Sequence, residues 1–236
     1  MATYQTRRRV RLTPLGWLVC GALALLVVIG LVLAAKAASD RWFGAPAGPG
    51  GGTEAGTEAA SEPQAEAGDH PDAAIVVTYQ VAAAGPVEVG LAEFAGEAQA
   101  IFNDPSGWLS AGVGFDRVAE GGDFTLWLAT PDQMSGFNPD CSPDYSCRVG
   151  PDVIINQERW LRGALPGALD SISLGEYRTM AVNHEVGHWL GHDHSTCPGP
   201  DQPAPLMMQQ SKGLDGCLPN IYPLPEERTA PALGLG

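Results

Sequence analysis

Eleven consecutive residues, His184-Glu-Val-Gly-His188-Trp-Leu-Gly191-His192-Asp-His194, restrict this chain more than any other stretch. Residues four apart on an α-helix share a face, so His184 and His188 can offer two imidazoles to one metal ion. Glu185 is one step round the helix, which sets its carboxylate beside such an ion rather than on it. The helix itself cannot supply a third ligand. In a continued helix His192 would lie roughly 12 Å along the axis from His184, too far to converge on an ion with bonds of about 2.0–2.1 Å. Gly191 resolves this, because glycine adopts the left-handed conformation that ends a helix and lets the chain bring His194 back. Three histidines with an open fourth position are the coordination of a catalytic Zn2+ site. Four of the chain's five histidines fall in this window, and the fifth, His70, falls in what reads as a linker.

The pattern HExxHxxGxxH resembles the signature of the metzincin clan of zinc metallopeptidases at each defined position. That clan has a methionine turn beneath the metal. Pro205-Leu206-Met207-Met208-Gln209 is the matching segment, and its Leu-Met order resembles the matrixin version, favouring Met207 over Met208. More narrowly, Asn183–His194, Cys197-Pro-Gly-Pro, Met207-Met-Gln-Gln and Lys212-Gly-Leu-Asp-Gly-Cys217 resemble membrane-tethered metzincin-like domains of high-GC Gram-positive bacteria. The likeness covers roughly the last two thirds of the chain. It implies a zincin fold, α/β (α+β), with a twisted, mostly parallel mixed sheet, two main helices and a small C-terminal subdomain. In one respect the chain departs from the pattern. Some metzincins have a tyrosine two residues after the turn methionine to help hold the oxyanion, and Gln209 (or Gln210, if Met208 is the turn residue) stands there instead.

Charge is unevenly spread over the 236 residues, whose net value is −14. Residues 1–39 carry five basic and no acidic side chains, leaving 27 acidic against 8 basic in residues 40–236, a net of −19. Such a surface repels nucleic acid and favours neutral or basic partners. Arg7, Arg8, Arg9 and Arg11 precede an uncharged run from Leu15 to Ala35. As a helix those residues would reach about 31 Å, the thickness of a bilayer core. A basic tail (1–14) would stay in the cytoplasm and residues 15–35 would anchor the rest outside the cell membrane. The rival reading, secretion after signal cleavage, meets a run longer than the usual h-region of about 7–15 residues. Residues 36–72, rich in Ala, Gly, Glu and Pro, read as a flexible acidic linker.

The folded domain is expected over 73–225, with 226–236 a disordered tail. Ile75–Val81 is β-branched and reads as a strand, as do Val113–Val118 and Phe124–Leu128, joined through Gly121-Gly122, and Val153–Asn156. Leu91, Phe94, Ala95, Ala98, Ile101 and Phe102 fall at helical spacing, predicting a helix over 89–102. Ser173 followed by Glu176 forms a capping box that starts the metal-binding helix. On that helix Val182, Val186, Trp189 and Leu190 form a face for the sheet, and Tyr177, Met180, His184 and His188 a face for a cleft. Four cysteines lie outside the apolar run and permit three pairings. Cys141–Cys147 with Cys197–Cys217 closes two local loops, the second worth about 3 kcal/mol in the chain-entropy model.

Zinc here would act as a Lewis acid, and Glu185 would take a proton from water and pass it to the leaving amine. The expected function is a membrane-anchored extracellular metalloendopeptidase acting on protein or peptide substrates. A zinc amidase for cell-wall or other non-protein amides needs the same chemistry. A zinc-stabilised binding module does not need Glu185, because a structural site requires no general base.

Overall fold

A computed structural model of the protein describes residues 65–228, apart from Asp69 and Ala168. The expected basic tail, the 15–35 run, most of the linker and residues 229–236 lie outside the described residues. Among the described residues no helix is long and apolar enough to cross a membrane.

The sheet is built around strand β1 (Ile75–Ala84), whose β-branched start favours extended backbone. Its first half pairs in parallel with β2 (Val113–Arg117), and its second half with β3 (Phe124–Ala129). Tyr79 is the handover residue, in register with both Arg117 and Phe124. Beyond β3 come β5 (Asp152–Asn156), parallel, and β4 (Cys147–Val149), antiparallel at the edge, giving the order β2-β1-β3-β5-β4. The second and third strands follow each other in the chain through Gly121-Gly122, as expected, but β1 lies between them in the sheet. The connection passes over β1 with Gly122 packed on it, where a Cβ would sit 2.8 Å from the Tyr79 and Gln80 backbone. The Gln80 side chain accepts from the Gly121 amide at 2.7 Å, and Asp123 accepts from the Thr78 amide at 2.8 Å.

Alternation along the strands splits the core in two. Tyr79, Phe124, Leu126, Leu128, Val153 and Ile155 face helix α1 (Leu91–Phe102) and the long helix α4 (Leu174–Trp189) in the main core. The opposite face, with Trp127 and Ile154, is covered by the short helix α2 (Met134–Phe137) and the Cys141–Cys147 disulfide. A further short helix, α3 (Gln157–Arg162), brings Trp160 against Phe94. Arg178 of α4 stacks 4.7 Å over Trp160 and pairs with Glu97 of α1 at 2.8 Å, locking the two main helices together. The architecture is a mixed α/β layer with a five-stranded, mostly parallel sheet.

Contacts with the sheet reach ahead of residue 73, the expected start of the domain. Glu66 exchanges two backbone hydrogen bonds with Arg117, each 2.8 Å, and its carboxylate meets the Arg117 guanidinium at 2.7 Å. Gly68 and His70 both bind Asp116, at 2.6 and 2.9 Å. This segment lines the outer edge of β2, so His70 belongs to the domain rather than to a linker. At the other end the chain after α4 has little regular structure and is held by polar clasps. Cys197–Cys217 closes it, with Cα atoms 5.8 Å apart, and Asn220 Nδ2 donates to Ala204 O and Tyr222 O. Both disulfides follow the local pairing expected from the sequence.

Candidate metal centre

Helix α4 is anchored at both ends by local chemistry. Ser173 Oγ accepts from the Glu176 amide while Glu176 accepts from the Ser173 amide, a complete capping box. At the other end Gly191 takes φ 98°, the left-handed conformation. The Gly191 amide donates to His188 O and the His192 amide to Gly187 O, at 3.1 and 3.0 Å. These are the two bonds of the Schellman motif that stops a helix and reverses the chain.

The turn delivers His194 to the face carrying His184 and His188. One ring nitrogen from each lies within 4.8 Å of the others, with His188 Nε2 and His194 Nε2 3.0 Å apart. His184 Nδ1 meets Leu206 O, and His188 Nδ1 meets His192 O, each at 2.8 Å. A carbonyl only accepts, so both Nδ1 atoms carry the hydrogen and both Nε2 lone pairs are left for a ligand. Burial depresses the pKa of His184 to about 3, and it lowers those of His188 and His194 as well. The three rings are thus neutral, as metal ligands must be. Nitrogens bound to one tetrahedral zinc at about 2.0–2.1 Å lie roughly 3.3 Å from each other, so a triad this close fits such an ion. His192, the residue excluded on helical geometry, instead stacks on Trp108 with ring centroids 4.9 Å apart.

Glu185 is buried at the base of a cleft of about 500 Å³ that also exposes the triad. Burial raises its carboxyl pKa to about 8, with Arg148 acting in the opposite direction. Arg148, on edge strand β4, donates from Nη2 to His188 O at 2.8 Å and tethers the edge of the sheet to α4. Tyr177 and Met180 form the cleft wall and are largely buried, as expected of that helix face. Tyr145 and Lys212 face each other across the rim, the ammonium 5.3 Å from the ring centroid. Gln209 also lines the cleft. Gln210 does not stand free, because its amide bridges Pro205 O, Asn220 O and the Asn220 amide.

Met207 lies beneath α4. A Cβ on Gly187, which lies between His184 and His188 on the helix, would collide with Met207 Sδ and approach Trp108 Cζ2 to 2.8 Å. Met208 belongs to a separate small cluster with Ala204 and Cys217. The 226–236 tail expected from composition is corrected at its start. Glu227 is buried, and its carboxylate accepts from the amides of Leu206, Met207 and Leu224, each at 2.9 Å. No local signal marks the burial of Glu227 in the sequence, since two of its three partners, the Leu206 and Met207 amides, lie 21 and 20 residues upstream. Arg148 was equally silent, in a strand too short for a pattern.

A family model described as "Protein of unknown function (DUF3152)" matches residues 57–232. Among curated proteins, none matches the chain.

Proposed function

The chain belongs to the DUF3152 family, a membership that carries no activity with it, and from its own residues we propose a membrane-anchored extracellular zinc metalloendopeptidase of the metzincin type. The observation that carries this reading is the convergence of three neutral imidazoles beside a buried carboxylate at the floor of an open cleft. His184, His188 and His194 would hold the metal through their free ring nitrogens. Zinc so bound supplies Lewis acidity toward a substrate carbonyl and makes water more acidic. Glu185 moves the proton: a cation held beside it would favour its ionised form over the neutral acid that burial favours, and that carboxylate would accept a proton from the attacking water and deliver it to the amine nitrogen as the peptide C–N bond breaks. Strand β4, antiparallel at the sheet edge and contributing Arg148 to the cleft, suits an extended peptide laid along it. Residues 15–35 would tether the domain, and its acidic surface would admit neutral or basic chains more readily than acidic ones.

The test is cleavage of a diverse peptide library by the zinc-loaded full chain, read by mass spectrometry beside Glu185→Ala. Cuts made only by the wild type and lost on chelation are expected. A wild-type protein that holds one zinc per chain and cuts no peptide would overturn the peptidase reading, and cleavage of muropeptides instead would assign an amidase.

A further inference from the structure

The buried Glu227 carboxylate and the His184 imidazole contact opposite ends of one peptide group. Glu227 Oε1 accepts from the Met207 N–H at 2.9 Å. The carbonyl of that same peptide unit, Leu206 O, accepts from His184 Nδ1 at 2.8 Å. Glu227 Oε2 takes the preceding amide, Leu206 N–H, and the Leu224 amide, each at 2.9 Å. The geometry points to Glu227 as a positioning residue for the metal centre, acting on His184 through the Leu206–Met207 peptide plane. This inference rests on the metal-site reading above.

The physical case has two parts. A carboxylate on an amide N–H polarises the peptide, so its carbonyl becomes a stronger acceptor, and hydrogen bonds in such a chain strengthen one another. A stronger acceptor at Nδ1–H fixes the tautomer and raises the basicity of Nε2, the atom offered to the metal. The second part is geometric. With both its oxygens committed to consecutive amides, Glu227 holds the Leu206–Met207 segment in register under α4, and Met207 there packs on Gly187 between two ligands. Groups one step behind a metal ligand are typically worth about 10–100-fold in metal affinity.

The full chain and its Glu227→Gln variant are titrated with Zn2+ against a chromophoric chelator and with Co2+ followed by its visible bands. Glu227→Gln keeps the shape, removes the charge and turns one of its two acceptors into a donor, and we expect affinity to fall about 10-fold or more with shifted cobalt bands. Asn220→Ala is the structural control: it releases Ala204 O and the Tyr222 backbone, and the side chain it removes has no hydrogen bond to the Leu206–Met207 peptide. Equal losses in the two variants would overturn the relay in favour of a general loosening. Unchanged affinity and bands in Glu227→Gln would overturn it outright. Should Glu227→Gln fail to fold, the wild type still decides. The Met207 amide proton should move downfield on zinc loading more than the Leu224 amide does, and equal or absent movement would refute the relay. A wild type that binds neither ion would sink the metal-site reading itself, a result distinct from either of these.

Discussion

Gly187→Ala should destabilise the domain although it places alanine, the best helix former, in the interior of a helix. At an open helical site this change gains up to about 1 kcal/mol. Gly187 is not open. The new methyl carbon would collide with Met207 Sδ and sit 2.8 Å from Trp108 Cζ2. The methionine end can swing aside, whereas the indole cannot do so cheaply. It is buried, stacked on His192, and its Nε1 donates to Asn183 O at 2.9 Å. Overpacking typically costs about 1–3 kcal/mol, and a buried donor left without its acceptor about 1–3 more. Set against the propensity gain, a net loss of roughly 1–5 kcal/mol follows, at about 2–4 °C of melting temperature per kcal/mol in a domain of this size. The internal reference is Gly96→Ala in the middle of α1, where a Cβ meets nothing within 4 Å. That variant should gain about 0.5–1 kcal/mol. Thermal unfolding of both in chelator, so that metal does not contribute, gives the comparison. If Gly187→Ala equals or exceeds the wild type in stability, the steric reasoning fails and Gly187 is incidental.

Three further outcomes follow from other parts of the fold. Ser173→Ala removes the capping box and should cost about 1 kcal/mol in urea unfolding while leaving zinc affinity unchanged, the triad lying at the far end of α4. Replacing Cys197 and Cys217 with serine should cost about 3 kcal/mol, against about 2 for Cys141 and Cys147, with melting temperatures ordered accordingly. For Asp116, burial opposes ionisation, but hydrogen bonds from His70 and the Gly68 amide outweigh it and hold the carboxyl below its ordinary range. A lowered folded-state pKa means this stabilisation is complete above the unfolded value of about 3.9 and is lost as pH falls through the folded one. The Gly68 amide resonance should therefore move toward its unfolded position only below about pH 4, and Asp116→Asn should abolish that step.

What could be read in advance was what short-range geometry decides. The triad depends on helical periodicity and one glycine turn, all inside eleven residues, so its convergence was legible. The capping box and both disulfides are likewise local. Strand order was not, because β1 is long enough to serve β2 with one half and β3 with the other, and nothing in Val113–Val118 or Phe124–Leu128 records that division. Glu66, Gly68 and His70 sit in a polar, glycine-containing stretch that reads like linker, and what holds them is their partners at Asp116 and Arg117, distant in sequence. Glu227 stands between prolines and charged neighbours, and its burial is a property of the Leu206–Met207 amides rather than of its own surroundings in sequence.

The place of Glu227 in the chain also sets an order in time. Synthesis proceeds from the amino end, so His184, His188 and His194 emerge well before it, the last of them by 33 residues (227 − 194). Until those residues follow, the Leu206–Met207 peptide has no carboxylate to hold it and His184 has an acceptor free to wander. The nascent domain can present its histidines early, but their tightest grip comes late. A centre assembled this way is incomplete while its own unfolded chain is nearest at hand.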